Sequence, residues 1–204
     1  SRRALALDGG YRADHSHGGS GVQLPDRLAR HPVRDRLELV QSCRLRALEH
    51  AARYLGVSEQ PPGSNRGPHI ERWQRWANGL TGYPWCAAFL CGMVRETCEL
   101  VVPTPRRASV GFLEAWALEV GSLLEPGTRP RRGDWIVYRF DADDWPDHIG
   151  AVERVYSITW RGSYAFGTVR TIEGNVADAV RRKYRSVRRA RFVRIDAAKL
   201  TPVE

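Results

Sequence analysis

The sequence predicts an α+β fold in which N-terminal helices pack on a central antiparallel β-sheet. Two observations carry this expectation. Up to about residue 121, apolar residues recur at helical spacing; beyond it, Pro and Gly punctuate short runs rich in β-branched and aromatic residues. Helices first and strands second is the order of an α+β domain. A third observation bounds the size. With 204 residues, 42% of them hydrophobic and seven tryptophans, the chain can bury one substantial core.

Residues 1–34 are rich in Gly, Asp, His and Arg without periodicity and read as a flexible leader. His15 and His17 read as solvated linker in preference to a metal site. The folded domain is expected over 35–198, with a tail at 199–204. Asp35 offers an N-cap with Glu38 three residues on, and Leu37, Val40, Cys43, Leu48, Ala51 and Leu55 line one side of a helix stopped by Gly56. After a Pro/Gly loop at 61–68, residues 69–77 form a short helix presenting Ile70, Trp73 and Ala77. A further helix begins near Cys86 and ends before Pro103; another runs from Ser109, with Phe112, Leu113, Trp116 and Val120 inward and Gly121 at its end. Strands are expected at Asp134–Phe140, His148–Tyr156, Thr168–Glu173 and Arg189–Ile195.

The net charge is +9, from 32 basic and 23 acidic residues, and much of the excess lies between Arg181 and Arg191. Such a chain seeks a polyanion: nucleic acid, an anionic membrane surface or an anionic cell wall. No helix-turn-helix, zinc-finger or RNA-binding signature accompanies the charge, so nucleic acid is not the expected partner. No run approaches the ~20 apolar residues of a membrane span. The N-terminus carries no apolar signal region, so synthesis in the cytoplasm without a cleaved signal is expected. Four cysteines in a chain of this length do not form a disulfide scaffold, and none has C-x-x-C spacing. The thiols are expected to be free, as suits a reducing compartment. No cofactor and no metal are expected. The acidic turn of Asp141, Asp143, Asp144 and Asp147 lacks the order of a calcium loop and reads as solvated.

One cysteine stands apart. In Gly82-Tyr83-Pro84-Trp85-Cys86-Ala87-Ala88-Phe89, Pro84 fits just before or within a first helical turn. Cys86 then sits at the helix start, where unpaired N–H groups and the dipole favour a thiolate. Cys43, Cys91 and Cys98 lie on apolar helix faces and read as packing residues. Downstream, His148 opens the apolar strand His148-Ile149-Gly150-Ala151-Val152, and Gly150 permits close approach of a backbone or substrate. Glu173 ends the strand Val169–Glu173, with Asn175 two residues on. A thiolate, a base and a polar group that orients the base are the parts of a cysteine-hydrolase site. Cys86, His148 and Glu173 or Asn175 supply them.

Four motifs occur in order: Tyr83-Pro84-Trp85-Cys86-Ala87-Ala88-Phe89, Arg132-Gly133-Asp134-Trp135-Ile136-Val137, His148-Ile149-Gly150-Ala151-Val152 and Ile172-Glu173-Gly174-Asn175. Together they resemble a CHAP domain (cysteine, histidine-dependent amidohydrolase/peptidase) of the papain-like NlpC/P60 superfamily. Asn65-Arg66-Gly67 resembles its bacterial and phage branch. The resemblance covers roughly residues 36–196. It implies a papain-like fold with Cys86 as nucleophile, His148 as base, Glu173 as the acidic orienting residue and Asn175 as a further polar position. It also implies a peptidoglycan hydrolase that cuts an amide bond, either between sugar and stem peptide or within the peptide. Trp85, Tyr83 and Trp145 are the aromatics that would line a substrate groove, with an ordinary core or rim position as the alternative for each. The setting it implies is a phage lysin or tail-associated enzyme, or an antibacterial effector. An immunity protein, a delivery machine or a larger phage assembly would be its partner, and the protein would act on the wall after lysis or delivery. The rival readings are a catalytically inactive CHAP-fold module, an amidase with a non-wall substrate, and a basic nucleic-acid binder working through residues 181–191.

Overall fold

The computed structural model of the chain describes residues 33–78, 80–141 and 143–203; most of the leader at 1–34, with His15 and His17, lies outside them. Four helices precede most of the strands, giving the mixed α+β order expected. Helix α1 spans Val33–Arg53, α2 Pro68–Asn78, α3 Cys86–Cys98 and α4 Val110–Glu119. The main strands are β2 (Trp135–Tyr138), β3 (His148–Arg161), β4 (Tyr164–Val176), β5 (Ala179–Ser186) and β6 (Arg191–Val193). They form a five-stranded antiparallel sheet in the order β5-β4-β3-β2-β6. Two short strands, β1 (Leu100–Val101) and β7 (Thr201–Pro202), pair separately, so the expected tail residues 201–202 are bonded to the segment after α3.

Each helix has a clear cause. Ile70, Trp73 and Ala77 recur at helical spacing on α2, and all three are buried as expected. On α3 every residue from Cys86 to Val94 is buried, because the helix lies between α1, α2 and the sheet. Gly92 is needed there, since a Cβ would come within 2.5 Å of the Trp73 ring. Trp73, Trp85, Phe89, Met93, Ile149 and Ile172 centre the core between the helices and one sheet face. A second core of Ile136, Val152, Val169, Val187 and Phe192 covers part of the other face. The turn Arg132-Gly133-Asp134 joins the layers. Buried Asp134 accepts from Arg44 of α1 at 2.5 Å and from Arg194 at 2.9 Å, and Gly133 at φ +86 leaves room for the Arg44 stem.

Several expectations need correction. Asp35 does not cap α1, because the helix already begins at Val33. The strand at 168–173 is part of the longer β4, paired along nine positions with β3 in a hairpin. The basic stretch after Arg181 contains an unexpected strand, β5. Its outward residues are Arg, Lys and Tyr, so apolar alternation is absent, yet its backbone pairs with β4 from Thr168↔Ser186 to Val176↔Ala179. As an edge strand, it is protected from further pairing by that same charge.

The cysteines are not all free. Cys43 of α1 and Cys98 at the end of α3 form a disulfide, with Cα atoms 5.7 Å apart. The pair is 55 residues apart in sequence, so no local spacing reveals it. Cys86 and Cys91 remain free. Closing a loop of that length removes about 4 kcal/mol of unfolded-chain entropy in the simple loop model. A Cys43→Ser, Cys98→Ser variant is therefore expected to melt below the wild-type protein, and thermal unfolding with and without reductant checks it. Identical melting in all cases would refute the stapling role.

Candidate active site

The chain approaches Cys86 through a segment held by two buried polar side chains. Gln74 of α2 donates to the Tyr83 carbonyl at 2.5 Å and accepts from the Gly82 N–H at 3.3 Å. Glu59 accepts from the Trp85 indole at 2.9 Å and from the Asn65 N–H at 2.7 Å. Trp85 is the N-cap residue of α3, without a side-chain cap, and the first turn holds no acidic residue. Cys86 is the first residue of α3, at the end where the helix N–H groups have no intrahelical partner.

His148 starts β3 and is register partner to Tyr138, the last residue of β2. Its Nε2 lies 2.9 Å from Glu173 Oε2, and the Cys86 thiol is near enough to the imidazole to favour its protonated form. With Nε2 directed at Glu173, Nδ1 is the ring nitrogen left for the sulfur. The expected base and orienting acid are thus bonded to each other, and the expected nucleophile lies beside the imidazole. Tyr138 and Phe140 stack on the imidazole, with ring centroids at 6.0 and 6.1 Å, and fix its plane.

Glu173 is fully buried and fully partnered. Oε1 accepts from Thr171 at 2.5 Å, Arg185 Nε at 3.0 Å and Tyr138 at 3.3 Å. Oε2 accepts from His148 and, at 2.5 Å, from Arg185 Nη2. Burial alone would raise its pKa, but bonds from His148, Arg185 and Thr171 reverse this and lower it to about 2. Burial likewise opposes protonation of His148, and the bonds to Cys86 and Glu173 outweigh it, raising its pKa to about 9. The signs for stability follow. The raised His148 value stabilises the fold below its ordinary 6.5, an effect lost as pH rises through about 9. The lowered Glu173 value stabilises it above its ordinary 4.5, an effect lost as pH falls toward about 2.

Gly150 admits Glu173. A Cβ at this position would sit 2.6 Å from Glu173 Cγ, so the close approach expected there is made by the orienting carboxylate itself. Gly150→Ala is expected to displace Glu173, lowering kcat/KM and costing about 1–3 kcal/mol of stability by overpacking. Steady-state kinetics and a melting curve check both; unchanged kinetics would show that Glu173 need not be held there.

The other expected site residues separate. Asn175, in the left-handed region at φ +58, does not reach the imidazole. In the amide orientation that satisfies both its ends, it donates to Glu59 Oε1 at 3.1 Å and accepts from the Trp85 N–H at 3.2 Å. It therefore braces the entrance to α3. Trp85 is 0% exposed, packed on Trp73 and Phe89, and cannot touch a substrate. Its aromatic role is structural, a correction forced by its burial under Gly174. Tyr83 and Trp145 are 57% and 62% exposed and stand three residues before Cys86 and His148 respectively. Asp141 and Asp143 accept turn N–H groups within the acidic turn, and Asp147 accepts the Phe140 N–H.

The sequence reading missed Arg185, Thr171, Tyr138, Phe140, Gln74 and Glu59. Phe140 and Tyr138 had a signal: alternation along the β2 segment puts both on the His148 side. Arg185 had none, since β5 itself was hidden in a charge run. A cavity of about 450 Å³ lined by Leu124, Trp160, Arg191 and Phe192 lies apart from these groups. No metal-binding cluster of His, Cys, Asp or Glu occurs among the described residues. No helix among them is long and apolar enough to cross a membrane.

Cys86 at a helix start, His148 at a strand start and buried Glu173 bonded to His148 make up the candidate site. Compared with protein-family models, curated proteins and solved structures, the chain shows no match.

Proposed function

We propose that the chain is a peptidoglycan hydrolase of CHAP type on a papain-like fold, cleaving an amide bond through a Cys86 thiolate. The observation that carries this reading is the buried His148–Glu173 bond beside a free Cys86 at a helix start. Two further facts support it. A disulfide suits a protein that works outside a reducing cytoplasm. The +9 charge suits an anionic wall.

In this mechanism the proton of the Cys86 thiol resides on His148, giving a thiolate–imidazolium pair. The sulfur attacks the amide carbonyl, and backbone N–H groups at the α3 start receive the oxyanion. As the C–N bond breaks, His148 passes its proton to the leaving amine. The acyl group remains on sulfur as a thioester. His148 then takes a proton from water, whose oxygen attacks the thioester and restores the thiolate. Glu173 keeps Nε2 as the donor, so that Nδ1 serves the reaction, and balances the imidazolium charge. Phe140, stacked on His148, and the exposed Tyr83 and Trp145, each three residues before a reacting residue, are the candidate substrate contacts.

Incubation with purified peptidoglycan tests the reading. Free amino groups are expected to appear as amide bonds are cut. Their absence over several wall types and across pH 5–10 would sink it.

A further inference from the structure

Three strands of the sheet extend past the helix layer. The helices cover one face only as far as Ile172 and Val180, which belong to the first core. Beyond them, Ala165 and Val169 of β4 turn into the second core, so the alternating residues Phe166, Thr168 and Arg170 look the other way. Register places Arg154 and Tyr184 beside Arg170 on this uncovered face.

Its surface is basic and organised. Arg154 lies over the Tyr156 ring at 5.0 Å, and Arg161 over the Phe166 ring at 5.7 Å. Tyr156 packs against Tyr184, their centroids 5.7 Å apart. Arg170 and Arg182 each lie 2.7 Å from the same carboxylate, Glu153. One acid therefore serves two arginines, and Arg154 and Arg161 stand against rings. A guanidinium positioned beside a ring is a planar fork of N–H donors suited to bidentate contact with phosphate. Arg154 and Arg161 are seven residues apart on one strand, about 20 Å at ~3.3 Å per residue, so only an extended ligand meets both.

We infer that this face docks a linear phosphodiester polymer of the cell wall and brings the enzyme to its substrate. The inference rests on the peptidoglycan-hydrolase reading. Charge complementarity selects a polyanion. The wall setting of the proposed activity favours a polymer of the wall over nucleic acid, and an oligonucleotide competitor separates the two.

The test uses the full chain carrying Cys86→Ala, sedimented with two preparations of one wall: intact, and stripped of phosphodiester polymer by hydrofluoric acid. Retention is expected on the intact wall and not on the stripped one, with the free polymer competing. Arg154→Gln with Arg161→Gln is expected to lower retention on the order of tenfold at low salt and to flatten its salt dependence. In an otherwise wild-type background, the same double change should leave digestion of stripped wall unaltered. Equal retention on both walls, tighter binding of a single-stranded oligonucleotide, or indifference to the double change would overturn the proposal. Digestion of stripped wall by wild-type protein reports separately on the hydrolase reading, so failure of one is distinguishable from failure of the other.

Discussion

Cys86→Ala is expected to abolish amide hydrolysis while leaving the fold intact. The sulfur is the only nucleophile in the relay, and loss of a nucleophile in such a unit costs on the order of 10⁴–10⁶ in kcat. The substitution removes one buried atom from a helix start without touching the cap. Alanine is also a better helix former than cysteine. Circular dichroism should therefore report an unchanged helix content and a melting temperature close to wild type. Retention of more than a hundredth of the wild-type rate, measured on purified wall, would show that another group attacks.

Glu173→Gln should have the next largest effect. Glutamine preserves the volume of a fully buried side chain, so packing survives. It removes the charge that His148 and Arg185 both contact at Oε2. The imidazolium then loses a partner, and its ring loses the acceptor that fixes its orientation. A fall in kcat/KM of about 10²–10⁴ is expected from the role of such an orienting acid. The pH profile gives the sharper readout. The reactive state needs His148 protonated, and its pKa is raised to about 9, so wild-type activity should decline as pH climbs through that value. In the variant the raising influence of Glu173 is gone, and the alkaline limb should move to lower pH. A limb that stays in place while the rate falls would mean that Glu173 acts through packing alone.

Helical periodicity made α2 and α3 legible before any coordinates, because Ile70, Trp73, Phe89 and Met93 are both apolar and correctly spaced. The relay was legible for a different reason. Cys86 and His148 each start an element, and Pro84 and the Trp145-Pro146-Asp147 turn mark those starts. Glu173 reads as a strand end marked by Gly174-Asn175, although β4 runs on to Val176. What stayed hidden depends on long-range pairing. The Cys43–Cys98 bridge joins two helices whose register no single segment records. β5 carries its order in backbone bonds to β4, not in side-chain pattern, and Arg185 was hidden with it. Trp85 misled because an aromatic beside a nucleophile can face either way. Here Glu59 and Gly174 draw it inward.

The central claim is that Cys86, His148 and Glu173 cut an amide bond of peptidoglycan. Its most direct test is mass spectrometry of fragments released from purified wall by wild-type protein and by Cys86→Ala. Fragments that end in a new carboxylate and a new amine, formed by wild type alone, are the expected result, and their masses name the bond. Release of fragments by the mutant as well, cleavage between sugars, or silence from both proteins would contradict it.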